Sequence, residues 1–140
     1  QDLRASAKSA GAELTLIPEG DVMGALQTCL LDASGHAPFD LYVGSGGAPE
    51  GVLAACGLQT LGGSFYGRLL FRDDAERERA TRLGITDLDR VYGIDDLASD
   101  EAVLVLAGVT TQVLNGVEGR AVDVLSISPD EGIVRRTLTL

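Results

Sequence analysis

The residue types best suited to chemistry cluster at a glycine-rich turn, where residues 42–55 read YVGSGGAPEGVLAA. An apolar segment runs into glycines and then into Pro49, which suits the first position of a helix because its missing N–H would have no partner there. Gly46 and Gly47 carry no Cβ, so a ligand can approach the backbone closely. The free amides of such a turn, and of the helix that follows it, favour an anion.

Glu50 is the unusual residue of this turn, and the sequence leaves two interpretations of it open. As a carboxylate in the first helical turn it would gain ~0.3–1 kcal/mol from the helix dipole. Alternatively, it is an oxygen ligand for a hard divalent cation that then meets a phosphate, since Mg²⁺ and Mn²⁺ prefer such ligands. The glycines alone decide little, because their spacing matches neither the dinucleotide-binding fingerprint nor the P-loop.

A second acidic segment, LIPEGDV at residues 16–22, places Glu19 and Asp21 on either side of Gly20. From the residues alone, Asp21 is expected to cap the helix that follows, a role worth ~1 kcal/mol.

These segments and three others resemble, in the same order, the class II (GlpX-type) fructose-1,6-bisphosphatases. GSGGAPEGVLAA is similar to that family's GIGGAPEGV segment, and LIPEGDV to its LIPDGDV. The remaining matches are residues 58–67 with the family's LGGE, where Ser64 replaces Glu, DLDRVY at 87–92 with DLDRVL, and AGVT at 107–110 with ATGVT. The resemblance covers nearly all 140 residues, but only the C-terminal part of the family's sequence.

The resemblance implies roles for individual residues. Glu50 would bind the catalytic metal, Mn²⁺ or Mg²⁺, and Gly46 and Gly47 would lie against the substrate. Glu19 and Asp21 would bind sugar hydroxyls, with Glu19 standing where the family has Asp, and Gly20 between them would also lie at the substrate. No catalytic residue is assigned within the chain.

The resemblance also implies the reaction, which is metal-dependent hydrolysis of the 1-phosphate of fructose 1,6-bisphosphate and also of sedoheptulose 1,7-bisphosphate. The family's other metal ligands and its Lys-x-Arg phosphate contact lie upstream. We therefore expect residues 1–140 to be one α/β domain that needs the N-terminal part of the same enzyme and is nearly inactive alone. A homo-oligomer is expected. Two alternatives remain, a non-catalytic anion- or nucleotide-binding module and an oligomerisation domain.

Other polar residues have plainer interpretations. His36 lies in a loop, and we expect it to be solvated and without an acidic partner. Arg68 and Arg72 could reach a phosphate, although arginines at strand ends usually face water. Thr110 and Thr111 could line a site or cap a helix. Four acids are interpreted as residues at helix starts and not as metal-binding pairs: Asp73, Asp74, Asp95 and Asp96. Two serines alternate on an ordinary strand and suggest no catalytic triad: Ser126 and Ser128.

Around these residues, the sequence predicts strands and helices in alternation. Strands are predicted at residues 13–17, 39–43, 62–71, 90–93, 101–107, 121–128 and 133–140, the last two as a hairpin. Helices are predicted at residues 1–10, 21–31, 49–61 and 73–83. This order predicts an α/β fold with a layered mixed sheet flanked by helices. The resemblance implies the C-terminal half of an inositol monophosphatase-like sugar phosphatase.

Composition narrows the class of protein. The 140 residues are 45% hydrophobic and 23% charged, as in a globular domain with an aliphatic core. The net charge of −10 argues against nucleic-acid binding, which depends on Lys and Arg at phosphates. No run of ~20 apolar residues suits a membrane helix. We expect a cytoplasmic protein in which Cys29 and Cys56 are buried, reduced thiols.

Overall fold

The computed structural model of the chain describes residues 3–32, 34–109 and 113–139. Within these ranges lie four α-helices, a short 3-10 turn at Ile94–Asp96 and five strands. The helices are α1 (Leu3–Ser9), α2 (Asp21–Leu26), α3 (Ala48–Thr60) and α4 (Asp74–Arg82). The strands are β1 (Tyr66–Arg68), β2 (Val91–Gly93), β3 (Leu104–Ala107), β4 (Ala121–Ser128) and β5 (Gly132–Thr139).

The strands form two antiparallel sheets. β1 pairs with β2, and β4 lies between β3 and β5 in the other sheet. The predicted hairpin is confirmed, since Ser128 lies opposite Gly132 and Gly132 adopts a positive φ of 69°. The predicted combination of helices and sheet is also confirmed. The expected mixed sheet is not, because every strand pair in the described ranges is antiparallel.

Two predicted strands, at residues 13–17 and 39–43, are wrong. Both segments lie without strand pairing to any other described segment, and Leu16 and Leu41 are 60% and 77% exposed. A strand exists through hydrogen bonds to a neighbouring strand, so an alternating pattern forms none without a partner. The predicted strands at 62–71 and 101–107 are shortened for the same reason to the residues that pair in β1 and β3.

The helices follow local signals, with shifts at their ends. α4 agrees with the prediction, because Asp73 caps it by accepting a 2.9 Å bond from the N–H of Glu76, and Gly84 follows it with a φ of 93°. α3 begins at Ala48, so Pro49 is its second residue. α2 ends at Leu26 rather than at residue 31. Gln1 and Asp2 of the predicted first helix, and Leu140 of the last strand, lie outside the described residues.

The core joins α2 and α3 to the three-stranded sheet. Leu26 of α2 and Ile127 of β4 are fully buried, and their buried neighbours are Ala25, Ala54, Leu58, Leu104, Leu114 and Leu125. Gly57 of α3 permits this packing, since a Cβ there would lie 2.5 Å from Leu26 Cδ2 and 2.7 Å from Leu104 Cδ2. The aliphatic core holds the two helices against each other and so fixes their starts.

None of the helices in the described ranges is long and apolar enough to cross a membrane.

Candidate functional site

The starts of α2 and α3 lie side by side, which brings the acidic segment next to the glycine-rich turn. Gly20 precedes α2 with a φ of 90°, a conformation that glycine adopts at little cost. Asp21 is therefore the first helical residue and not the cap that the sequence predicted. Its carboxylate Oδ2 lies 2.8 Å from the position that a Cβ on Gly46 would occupy. Gly46 thus allows the turn to approach Asp21 closely.

The other carboxylate oxygen of Asp21 has a partner that sequence reasoning missed. The hydroxyl of Tyr42 donates a 2.6 Å hydrogen bond to Asp21 Oδ1. Burial, with the hydrogen bond and charge of Asp21 adding to it, raises the pKa of Tyr42 from its ordinary 10.0 to about 12. The spacing of these two residues in the sequence gives no signal for the contact.

Glu50 lies in the first turn of α3, where the sequence predicted it, and is exposed. Its carboxylate folds back over Gly47 into the space that a Cβ there would fill. Within the described part of the chain, the carboxylate has no hydrogen-bond or ion-pair partner, and no hydrogen bond joins it to Glu19 or Asp21. An unpartnered, exposed carboxylate at this place is available to a ligand.

A divalent cation fits this carboxylate only as one ligand among several. In ranges 3–32, 34–109 and 113–139, no three His, Cys, Asp or Glu side chains are grouped closely enough to hold a metal ion. Glu50 offers oxygen donors of the kind that Mg²⁺ and Mn²⁺ prefer. The other donors of such a site would have to come from further carboxylates.

Glu19 and Gly20 line a surface cleft of about 400 Å³. The rest of its lining is a wall formed by residues 106–109, which includes most of the AGVT motif, together with Met23 of α2, Val113 and Leu114. Two segments that are distant in the sequence, LIPEGDV and AGVT, therefore face the same cleft. Thr110 and Thr111, the candidate hydroxyls of this region, lie outside the described residues.

A nearly buried acid on β4, Asp123, holds this wall in place. Its side chain is 6% exposed and accepts hydrogen bonds from Asn115 Nδ2 at 3.0 Å, Arg135 Nη2 at 2.6 Å and Thr137 Oγ1 at 2.8 Å. The bond from Arg135, followed by that from Thr137, lowers the pKa of Asp123 to about 2. Its backbone carbonyl accepts the N–H of Gly108 at 2.8 Å.

Gly108 has no room for a side chain, because a Cβ there would overlap the carbonyl oxygen of Asn115. The sequence signal for this arrangement was a single acid inside an apolar strand, AVDVLSIS. That pattern does not name the partners, which lie on β5 and on the loop before β4.

The other candidate residues lie in a loop, in a surface ion pair or at a strand end. The His36 ring bonds Ser34 Oγ at 3.0 Å, and Asp32 Oδ1 accepts the backbone N–H of His36 at 3.0 Å. Asp32 thus contacts the backbone of His36, and Ser34 lies between Asp32 and the His36 ring. Arg72 forms a surface ion pair with Glu76, and Arg68 is exposed at the end of β1.

The acidic pairs and serines also serve local structure. Asp96 accepts the N–H of Gly93 at 2.9 Å and pairs with Arg90. Ser128 Oγ accepts the N–H of Glu131 at 3.1 Å in the hairpin turn. Cys29 and Cys56 are free thiols that are half-buried, whereas buried thiols were predicted. None of these residues adjoins Glu50 or Asp21 through a hydrogen bond in the part of the chain that the structure describes.

Comparisons with known proteins agree with the motifs. A family model described as bacterial fructose-1,6-bisphosphatase, glpX-encoded, matches residues 1–139. A protein of Microcystis aeruginosa named D-fructose 1,6-bisphosphatase class 2/sedoheptulose 1,7-bisphosphatase is 38% identical over 120 residues, which are 76% of this chain and 34% of that protein. A protein of the same name from Thermosynechococcus vestitus is 39% identical over 127 residues, 81% of this chain and 35% of that protein. The chain thus spans about a third of the length of these curated relatives.

Proposed function

Because the chain belongs to the bacterial, glpX-encoded fructose-1,6-bisphosphatase family, we propose that it supplies one side of the active site of a sugar-bisphosphate phosphatase. The reaction is hydrolysis of the 1-phosphate of fructose 1,6-bisphosphate and also of sedoheptulose 1,7-bisphosphate, the two activities named in the relatives. The observation that carries the proposal is the exposed Glu50 carboxylate, which lies above the backbone of Gly47 and has no partner among the residues that the structure describes.

Glu50 is the metal ligand of this chain, for Mn²⁺ or Mg²⁺. When bound, the divalent cation would offset charge on the transferred phosphoryl group and activate a water. Glu50 is suited to this role because its oxygens are exposed and no cation or amide of the described residues competes for them. Its position over Gly47 places the carboxylate at the N-terminus of α3.

The glycine-rich turn and the first turn of α3 bind the anionic part of the substrate. The first four N–H groups of a helix have no partner within it, and Pro49 removes only one of them. Gly46 and Gly47 lack a Cβ, and the carboxylates of Asp21 and Glu50 lie in the space that a Cβ would fill, so groups bound by these carboxylates come close to the backbone of the turn. The amides thereby supply local positive potential to an acidic protein with a net charge of −10.

The acidic segment orients the sugar. Glu19, Gly20 and Asp21 present two carboxylates that accept hydrogen bonds from hydroxyl groups. The adjoining cleft of about 400 Å³ lies within the ~300–1,000 Å³ range of small-molecule sites. Each group acts by binding and orienting the substrate, and no residue of the chain is assigned as the nucleophile, acid or base.

The chain is one α/β domain, residues 1–140, at the C-terminal end of a longer cytoplasmic enzyme with an inositol monophosphatase-like fold. An N-terminal part of the same enzyme adds the remaining metal ligands, and the 140-residue chain alone has little or no activity. Support comes from the share of the relatives that the chain covers, about a third, and from Glu50 belonging to no group of three possible metal-ligating side chains within the described ranges. We also propose that the complete enzyme is a homo-oligomer and that it binds neither nucleic acid nor membranes.

The test is made in the complete phosphatase with Glu50→Gln, which keeps the size of the side chain and removes its charge. We expect kcat/KM to fall at least ~100-fold, since even groups behind a metal ligand contribute 10–100-fold, with partial recovery at high Mn²⁺. The control Glu101→Gln changes another exposed glutamate and should leave kcat/KM unaltered. Full activity of Glu50→Gln overturns the proposal, and sugar-bisphosphate binding that ignores Mn²⁺ indicates a non-catalytic anion-binding module instead.

A second variant tests the same role of Glu50 by adding a methyl group at Gly47, whose backbone lies beneath the Glu50 carboxylate. Gly47 has a φ of −68°, which any residue adopts, and the three atoms nearest to a Cβ there all belong to the Glu50 side chain. The matched control is Gly93→Ala, where φ is −87° and the new Cβ would meet Asp96 Oδ2 at 3.9 Å, an ordinary contact. We expect Gly47→Ala to weaken Mn²⁺ activation ~10-fold or more with an unchanged melting temperature, and Gly93→Ala to change neither.

A further inference from the structure

Tyr42 occupies a slot between the two segments of the candidate site. On one side, its ring lies against Gly24 of α2, where a Cβ would be 2.9 Å from Tyr42 Cε2 and 3.2 Å from Cδ2. On the other side, its hydroxyl lies where a Cβ on Gly44 would be. Two glycines, one on the helix and one at the start of the turn, therefore admit the aromatic ring and fix its position.

This slot aims the hydroxyl at a carboxylate that would otherwise rotate freely. Asp21 is exposed at the first position of α2 and makes no capping bond there. Tyr42 instead donates to its Oδ1 at 2.6 Å, while Oδ2 faces Gly46. The carboxylate is thus held between the hydroxyl and the glycine-rich turn, and it remains exposed to a ligand.

We propose that Tyr42 is a positioning residue that holds the Asp21 carboxylate ready for the sugar, an inference that rests on the proposed function. A carboxylate already fixed by a protein donor loses less rotational freedom when substrate hydroxyls bind to it. Tyr42 acts on the substrate through Asp21 and is not a catalytic residue. Its loss should weaken substrate binding and leave the chemical step nearly unchanged.

The experiment is steady-state kinetics of the complete phosphatase carrying Tyr42→Phe. Phenylalanine keeps the ring in its slot and removes only the hydroxyl. We expect KM for the sugar bisphosphate to rise ~5–10-fold, a factor of ten being ~1.4 kcal/mol, while kcat changes less than ~2-fold. Tyr66→Phe is the matched control, because Tyr66 is 80% exposed, and its KM should equal that of the unmodified enzyme. An unchanged KM in Tyr42→Phe overturns the proposal.

A double-mutant cycle with Asp21→Ala tests whether Tyr42 acts through Asp21. If it does, the KM of Tyr42→Phe/Asp21→Ala equals that of Asp21→Ala alone. Independent effects that multiply in the double variant contradict the proposal. Should Tyr42→Phe lower the melting temperature, KM is compared at a temperature at which all four enzymes are folded, and Asp21→Ala must raise KM at least as far as Tyr42→Phe.

The outcomes separate this inference from the proposed function. If Glu50→Gln is inactive and Tyr42→Phe has an unchanged KM, the phosphatase assignment stands and the positioning role falls. If Glu50→Gln keeps full activity while Tyr42→Phe raises KM through Asp21, the positioning role stands and the metal role of Glu50 falls.

Discussion

Asp123 is an acid that folding keeps ionised although its side chain is almost covered. Three side chains, Asn115, Arg135 and Thr137, donate to its two oxygens. Since the pKa in the folded chain is about 2 and the ordinary value is 3.8, the unfolded chain binds the proton first as the pH falls. The carboxylate therefore contributes stability above about pH 4, and that contribution is lost as the pH falls from there toward 2.

We predict that Asp123→Asn lowers the melting temperature at neutral pH and flattens its acid dependence between about pH 4 and pH 2. The amide keeps the shape but removes the charge that accepts from Arg135, and its NH2 group is left among hydrogen-bond donors at a position that is almost buried. Thermal unfolding followed by circular dichroism at a series of pH values measures both effects. Asp130→Asn, in the exposed hairpin turn, is the control and should keep the slope of the unmodified chain. Identical slopes for Asp123→Asn and the unmodified chain would contradict the assignment of the acid dependence to this contact.

Some contacts of the candidate site join residues that are close in the sequence, and others join distant segments. Gly47 and Glu50 are three residues apart on one turn and helix, so the motif by itself places them together. The contact between Tyr42 and Asp21 joins two segments 21 residues apart, and it depends on the bare backbone of Gly24 and Gly44. That pairing requires the packing of α2 on α3, which no spacing in the sequence specifies.

At the scale of the elements, predictions succeed where the stabilising interactions lie within the element. α4 has its cap, its acidic start and its glycine end within a few residues, and its bounds are predicted nearly correctly. The hairpin of β4 and β5 is also local, and its turn is predicted. The segments at 13–17 and 39–43 carry a strand pattern, yet a strand needs a neighbour that the pattern does not supply.

The packing of α3 against Leu26 of α2 and Leu104 of β3 depends on the missing side chain of Gly57. Gly57→Ala should destabilise the chain by about 1–3 kcal/mol, the usual cost of overpacking, because the added methyl group would meet Leu26 and Leu104 at 2.5 and 2.7 Å. Gly51→Ala, in the same helix, is the control, since its Cβ would have only Phe65 Cζ at 3.9 Å. It should stabilise the helix by roughly 0.5–1 kcal/mol. Urea unfolding of both variants gives the comparison, and equal midpoints would show that α3 does not need a glycine to pack on α2.

At the scale of the whole molecule, the chain leaves much apolar surface uncovered. Leu16, Leu41 and Val43 are 60%, 77% and 58% exposed, and they lie in the two segments that have a strand pattern without a strand partner. The chain covers about a third of the curated relatives, so the remaining part of a complete phosphatase is the occupant that we propose for this surface.

This proposal predicts that the same substitution has different effects in the two forms of the protein. Leu41→Ser in the 140-residue chain should change the free energy of unfolding by no more than ~0.5 kcal/mol, because the side chain is exposed there. In the complete phosphatase it should cost about 2 kcal/mol or more, because a buried leucine would lose its packing and a hydroxyl would be buried. Leu83→Ser, at a position 73% exposed after α4, should be nearly neutral in both. Thermal or urea unfolding of the two forms measures the difference, and a near-neutral Leu41→Ser in the complete phosphatase would mean that this surface is not where the rest of the enzyme packs.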